Sequence, residues 1–309
     1  MRIVSLLPSA TEIVAALGLA NQLVGISHEC DYPPEVVAGK PILTRSAIPP
    51  GLSQSEIDAT VAERLKRGES LYLLDEDLLN ELQPDLILTQ ELCTVCAVSF
   101  ATVRDAACKL ASDPRVVSLE PTNLAGILEN IRTVGELTRT ADRAEKFIAS
   151  LQQRLDAIQE KTRHVSHRPR AYAMEWLNPP YNAGHWVPEM VSLAGGVEVL
   201  GRIGEPSARL TWEQVIASQP ECIILMPCGY TVAMIQKEIA TIPFPDGWWG
   251  IPAVRNGNLF AVNATAYFSR PGPRVVEGVE LLASLFHPQL FSAPSHENAE
   301  RIELTRAIV

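Results

Sequence analysis

The sequence predicts an α/β fold of two similar lobes with mostly parallel sheets, joined by a long α-helix, with a ligand cleft between the lobes. Short apolar runs alternate with helical patterns, which is typical of parallel sheets covered on both faces. The same order of elements restarts at Ala171, where residues 219–224 repeat the pattern of residues 83–88. A helical stripe of apolar residues separates the two halves.

The first lobe is predicted to span residues 1–121. Ile3–Leu6 forms its first strand, and a capping box from Ser9 to Glu12 opens a helix through Leu17. Further elements are predicted as strands at 23–26, 85–89 and 116–119 and as helices at 75–82 and 97–111. A polar, helical insertion covers residues 44–74 and fits either a solvated face or a lid.

The connecting segment, residues 122–165, carries apolar residues at helical spacing. Gly135 and the stretch 138–141 are the places where this helix is expected to break. The second lobe is predicted at 166–291, and residues 292–309 form a polar tail.

Composition excludes several classes of protein. Of 309 residues, 47% are hydrophobic, which is enough for a sizeable core. The net charge of −10 offers no general attraction to nucleic acid or to an anionic membrane. No window reaches the ~18 apolar residues of a membrane span, and no signal peptide precedes the first strand. As written the chain is expected to be cytoplasmic, or periplasmic if the true start lies upstream.

Ligands of open parallel sheets sit outside the carboxyl ends of the strands. The segments at those positions are rich in aromatic residues, prolines and cysteines, for example residues 28–34, 175–181 and 266–271. Such a lining suits a large, partly apolar, planar ligand.

The segments 6–12, 31–34, 83–85 and 178–181 resemble class III ABC-transporter substrate-binding proteins of the cobalamin-binding (vitamin B12-binding) branch. The resemblance covers about residues 2–288. It implies two Rossmann-like lobes that hold a corrinoid without catalysis, with an ABC transporter permease as partner if the protein is exported. The ligand-binding residues it implies are Pro8, Tyr32, Trp176, Asn178, Pro179, Pro180, Tyr181, Tyr267, Phe268 and Arg270.

Cys93 and Cys96 form a C-x-x-C motif, and Cys30 and His28 follow a neighbouring strand. Soft thiolates favour zinc or another soft metal, so Cys30, Cys93 and Cys96 are candidate metal ligands. The alternatives are packing at the strand ends and a redox disulfide. His28 or His185 could also bind the cobalt of a corrinoid.

The leading functional hypothesis is non-catalytic binding of cobalamin or a related corrinoid for uptake, salvage or intracellular handling. The alternatives are a binder of a metal chelate such as a siderophore, a haem binder, and a Cys/His metal-dependent enzyme. Against the enzyme, the chain has no nucleophile elbow, P-loop or G-x-G-x-x-G after the first strand.

Overall fold

A computed structural model describes residues 1–90 and 100–305. Contacts divide the chain into two compact units. Unit 1 contains residues 1–52, 56–121 and 125–150, and unit 2 contains residues 53–55, 122–124 and 151–309. The short segments 53–55 and 122–124 thus belong to unit 2, whereas the residues on either side of each segment belong to unit 1.

Strands and helices alternate along most of the chain, as the sequence predicts. The strands are β1 (Ile3–Ser5), β2 (Leu23–Ile26), β3 (Thr44–Ser46), β4 (Tyr72–Leu74), β5 (Leu86–Thr89), β6 (Arg115–Ser118), β7 (Arg170–Trp176), β8 (Tyr181–Asn182), β9 (Val197–Glu198), β10 (Cys222–Leu225), β11 (Leu259–Val262) and β12 (Ala299–Arg301). The helices are α1 (Pro8–Ala16), α2 (Pro34–Val37), α3 (Gln54–Lys66), α4 (Glu76–Leu82), α5 (Phe100–Ala107), α6 (Leu124–Leu137), α7 (Ala141–Thr162), α8 (Val187–Leu193), α9 (Trp212–Ser218), α10 (Val232–Ile239), α11 (Pro252–Arg255), α12 (Ala264–Tyr267) and α13 (Val275–Phe286).

Unit 1 is built on a parallel sheet of strand order β2-β1-β5-β6. Its strands are short apolar runs, and β1 and β5 are buried throughout. Val4 and Ile87 pack with Val103 of α5 in one apolar cluster. The parallel sheet covered by helices confirms the predicted fold class for this lobe.

Helix α1 begins earlier than the predicted capping box. Pro8 is its first residue, and the residue before it, Leu7, caps the helix without a side-chain hydrogen bond. Ser9 and Glu12 are buried inside the helix, so the predicted box is wrong. Proline favours the first helical position because its fixed φ is helical and its missing N–H would have no helical partner there.

The insertion contains more than the predicted polar helix. β3 and β4 pair antiparallel and flank α3 in the sequence. Within α3, all of whose residues are described, Gln54 is the one buried residue. The helix is therefore a mostly solvated element whose first residue is held in the interior.

The connecting segment forms two helices, α6 and α7, and the break falls within the expected stretch. Arg139 adopts a left-handed φ of 58°, and the Thr138 hydroxyl donates to the carbonyl of Val134 at 2.7 Å. A Cβ on Gly135 would lie 2.5 Å from Cβ of Ala144. The missing side chain of Gly135 thus lets the two helices approach closely at their junction.

Unit 2 is built on a mixed sheet of order β12-β11-β10-β7-β8, with β9 also paired to β7. β7, β10 and β11 are parallel neighbours, whereas β8 and β12 run antiparallel. β12 comes from the predicted polar tail and covers the edge of β11. Trp248 is fully buried in the apolar core of this unit.

Across residues 1–90 and 100–305, no helix combines the length and apolar character that crossing a bilayer requires.

Candidate functional site

The carboxyl ends of β7, β10 and β11 meet at one edge of the unit 2 sheet. The backbone N–H of Cys228, after β10, donates to the carbonyl of Glu175 in β7 at 3.3 Å. The N–H of Ala264, after β11, donates to the carbonyl of Tyr230 at 3.1 Å. These bonds tie the segments that follow the three strands together, as the parallel topology predicts.

Trp176 and Tyr181 are brought together at this edge. β7 and β8 form a hairpin in which Trp176 is the direct partner of Tyr181. Side chains of directly opposed residues in an antiparallel pair lie on the same face. Both residues are half-buried, so each keeps part of its surface accessible.

The hairpin turn consists of Leu177, Asn178, Pro179 and Pro180. Asn178 and Pro179 are partly exposed, whereas Pro180 is buried. The Pro180 carbonyl accepts a hydrogen bond from the N–H of Leu210 at 2.8 Å. Asn178 and Pro179 are therefore the turn residues that solvent can reach.

Two residues that the sequence analysis did not select hold Trp176. Its ring packs edge-to-face on Tyr230 with 5.9 Å between centroids, and its Nε1 donates to the carbonyl of Gln54 at 3.3 Å. The Gln54 side-chain oxygen accepts from the N–H of Leu177 at 2.8 Å. Tyr230 lies in a strand-end segment that the sequence does indicate, but no sequence signal points to Gln54.

The segment from Val199 to Leu210 packs against the hairpin. The Asn182 N–H donates to the Ala208 carbonyl at 3.1 Å, and the Ala208 N–H donates to Oδ1 of Asn182 at 2.6 Å. The Tyr172 hydroxyl donates to the carbonyl of Tyr181 at 2.9 Å. A Cβ on Gly184 would lie 2.4 Å from N of Ser207 and 2.6 Å from O of Glu205. Only glycine allows this segment to approach so closely.

The carboxyl groups of two half-buried residues, Glu175 and Glu198, lie behind the hairpin. Glu198 accepts from the N–H groups of Ala173 at 3.0 Å and Gly201 at 3.1 Å, yet burial raises its pKa to about 7. Burial also raises the pKa of Glu175, while its hydrogen bond from the Ser207 hydroxyl at 2.7 Å opposes the shift. Both carboxyl groups accept hydrogen bonds from backbone or side-chain donors, which indicates a structural role.

The three predicted residues after β11 have different environments. Tyr267 lines a surface cavity of about 540 Å³ beside α7 and α13, and its hydroxyl donates to Oδ1 of Asn298 at 3.1 Å. Phe268 is 2% exposed, and its carbonyl accepts from Nε1 of Trp186 at 2.9 Å. Arg270 is buried. Phe268 therefore packs in the interior of unit 2.

At the carboxyl edge of the unit 1 sheet, Pro8 is partly exposed and the side chain of Tyr32 is 41% exposed. His28 lies nearby in the chain, with its Nδ1 2.7 Å from Oγ1 of Thr44 and its ring 5.5 Å from that of Tyr72. Tyr32 thus offers an accessible aromatic surface after β2.

The proposed metal ligands are not assembled by the described residues. Cys30 is buried, with its Sγ 3.1 Å from the hydroxyl of Thr11. Cys93 and Cys96 lie outside the described residues. Among residues 1–90 and 100–305, no group of three or more His, Cys, Asp or Glu side chains is placed to hold a metal ion. The metal-binding role of Cys30, Cys93 and Cys96 therefore stays a prediction.

His185 has a left-handed φ of 52°, and its ring stacks on Trp186 with 5.6 Å between centroids. Burial lowers the pKa of its imidazole. Burial therefore favours the neutral form of the ring.

Comparison with known proteins identifies the family. The family model described as periplasmic binding protein matches residues 3–266. The chain belongs to the periplasmic binding protein family. Its members bind solutes rather than catalyse reactions, which confirms the expectation of a non-catalytic protein and rejects the metal-dependent enzyme.

Three similar proteins illustrate the range of the family. The vitamin B12-binding protein of Vibrio cholerae is 27% identical over 290 residues, covering 90% of this chain and 86% of that protein. An uncharacterized ABC transporter substrate-binding lipoprotein, YvrC of Bacillus subtilis, is 24% identical and covers 94% of this chain and 81% of that protein. The structure of the periplasmic heme-binding protein RhuT from Roseiflexus sp. RS-1 superimposes with a TM-score of 0.70 at 22% identity, covering 93% and 98% of the two chains.

These comparisons confirm the fold class and the resemblance to class III ABC-transporter substrate-binding proteins. They give no support to the expected cytoplasmic location, since the similar proteins include a lipoprotein and a periplasmic protein. The inter-lobe cleft and the lobe boundaries stay predictions.

Proposed function

We propose that this protein binds cobalamin or a related corrinoid without catalysis and presents it to an ABC transporter permease on the outer side of the membrane. The pairing of Trp176 with Tyr181 at the carboxyl edge of unit 2 carries the proposal. Two accessible rings side by side offer an apolar wall to a large planar ligand, and aromatic side chains supply contact area at little entropic cost.

The remaining residues of the proposed site follow from their accessibility. Pro8 and Tyr32 contribute from unit 1, and Asn178 and Pro179 contribute from the turn of the hairpin. Tyr267 contributes its partly exposed side chain, whereas the buried Pro180 and Arg270 support the residues around them. The similarity to the vitamin B12-binding protein of Vibrio cholerae supports the choice of a corrinoid.

A haem is the second candidate, because a heme-binding protein shares the fold and His28 and Tyr32 lie at the carboxyl edge of unit 1. Imidazole and phenolate side chains are common ligands of haem iron. The aromatic wall of Trp176 and Tyr181 suits either planar ligand, and the similarity to the vitamin B12-binding protein favours the corrinoid.

Calorimetric titration of the purified protein with cobalamin, cobinamide, haem and zinc tests the proposal. We expect saturable 1:1 binding of cobalamin and cobinamide, with weaker binding of haem and none of zinc. Saturation by haem with no heat from either corrinoid would favour the second candidate.

Trp176→Ala tests the aromatic wall, and Trp249→Ala is its control because Trp249 packs against the same core from a different segment. We expect the first substitution to weaken corrinoid binding by on the order of 5- to 150-fold, corresponding to about 1–3 kcal/mol. Equal affinities for both variants would contradict a ligand contact by Trp176.

A further inference from the structure

Gln54 is a fully buried glutamine at the start of α3, whose other residues are exposed or half-buried. It is 0% exposed and belongs by its contacts to unit 2, together with Ser53 and Ser55. Burial of an amide is costly unless its polar atoms find partners. Its contacts therefore explain why this residue lies in the interior.

Three of those contacts are well-formed hydrogen bonds. The Gln54 backbone N–H donates to Oε1 of Glu238 at 3.1 Å, and its carbonyl accepts from Nε1 of Trp176 at 3.3 Å. Its side-chain Oε1 accepts from the backbone N–H of Leu177 at 2.8 Å. One residue thus holds both the indole of Trp176 and the backbone that follows it.

The Gln54 amide nitrogen makes no hydrogen bond of good geometry with any described residue. The Tyr230 hydroxyl is its neighbour: burial raises the pKa of that phenol, and the nearby Gln54 amide opposes the shift. Tyr230 is also the ring on which Trp176 packs. Gln54 therefore lies among the groups that determine where the Trp176 ring stands.

The turn that follows Trp176 has few backbone N–H groups with which to form hydrogen bonds. Pro179 and Pro180 have no backbone N–H to donate. Leu210 binds the Pro180 carbonyl at the far end of the turn, and Gln54 binds the Leu177 N–H at the near end. Leu177 is fully buried, so without Gln54 its N–H would lose this partner in the interior.

We propose that Gln54 is a positioning residue that pre-orients Trp176 and the turn 177–180 for ligand binding. The inference rests on the proposed function, because it takes this turn to contact the ligand. A preorganised turn has less conformational freedom to lose when the ligand binds, and it therefore binds more tightly.

The test compares Gln54→Met with the wild type. Methionine has a similar length and no acceptor for the Leu177 N–H. Gln153→Met is the matched control, because the same replacement is made at an exposed position of α7. Gln54→Glu keeps an acceptor oxygen at the same place and provides the conservative variant.

Two measurements are made without ligand. The first is hydrogen exchange of the Leu177 amide, and the second is the ¹⁹F resonance of 5-fluorotryptophan at Trp176, assigned with Trp176→Phe. We expect Gln54→Met to speed the exchange by about tenfold or more and to move the resonance. The Gln54→Glu and Gln153→Met variants should retain the protection of the wild type.

The third measurement is the affinity for cobalamin. We expect Gln54→Met to weaken binding by about tenfold and Gln54→Glu to stay within about threefold of wild type. An unchanged affinity for Gln54→Met, even with a lower melting temperature, would overturn the inference, because Gln54 would then be merely structural. If the wild type binds no corrinoid, the proposed function fails, whereas unchanged Leu177 exchange and Trp176 resonance in Gln54→Met would refute the positioning role separately.

Discussion

Replacing Tyr32 with alanine should weaken corrinoid binding by about 30-fold. Tyr32 is 41% exposed, and because a tyrosine presents on the order of 200 Å², about 80 Å² of this residue remains for the ligand to cover. At about 25 cal/mol per Å² this area is worth about 2 kcal/mol, or roughly 30-fold in Kd.

The assay is calorimetric titration with cobalamin at constant pH and salt. Tyr32→Phe retains the ring and should stay within about threefold of wild type. Val197→Ala is the matched control, because Val197 is 43% exposed and pairs with Arg170 at the amino end of β7, away from the proposed site. Thermal unfolding should be nearly the same for all four proteins, since substitutions of exposed side chains change stability little.

A Kd for Tyr32→Ala within twofold of wild type would refute the reasoning. The same holds if Val197→Ala and Tyr32→Ala weaken binding equally, because the effect would then be unrelated to the carboxyl edge of unit 1.

Three further predictions concern stability. Gly184→Ala should lower the free energy of unfolding by about 1–3 kcal/mol in urea titrations, because its Cβ would meet backbone atoms of Ser207 and Glu205 at 2.4 and 2.6 Å. Gly250→Ala is the control, because a Cβ there has no atom within 4 Å, and it should change the free energy of unfolding by less than about 0.5 kcal/mol. Equal effects of the two substitutions would contradict the crowding at Gly184. Ile131→Pro should lower the free energy of unfolding by about 3 kcal/mol or more, because Ile131 is fully buried within α6. A melting temperature within about one degree of wild type would show that α6 does not need its regular hydrogen bonds. Glu198 should make the free energy of unfolding fall as the pH rises. Its pKa of about 7 in the folded protein lies above the value of about 4.3 in an unfolded chain. The stability that Glu198 contributes is therefore complete below about pH 4 and is lost as the pH rises through about 7. Urea titrations of wild type and Glu198→Gln from pH 4 to 8 check this slope, and an identical slope in both proteins would contradict it.

The sequence predicts the parts of the fold that depend on local patterns. Short apolar runs bounded by helices identify β1, β5, β7, β10 and β11, because buried parallel strands need apolar residues on both faces. The topology then places Trp176 and Tyr230 at one edge without further information. The break at residues 138–141 is predicted by the loss of apolar spacing and by Gly135.

Features that depend on distant contacts escape sequence analysis. Gln54 looks like any polar residue at the start of a solvated helix, and only its partners Trp176 and Leu177 reveal its role. Phe268 matches the position of a ligand residue, yet its packing in the core of unit 2 decides its burial. β12 has no apolar pattern of its own, because an edge strand needs only backbone pairing with β11.

The visible absorption spectrum of the protein purified from cells grown with cobalamin tests the central claim most directly. Binding of a corrinoid in the proposed site predicts a red protein with corrin bands at one equivalent per chain, and an equally folded Trp176→Ala variant that retains less bound corrinoid. A spectrum dominated by the Soret band of haem, or a colourless protein that takes up no added cobalamin, would contradict the claim.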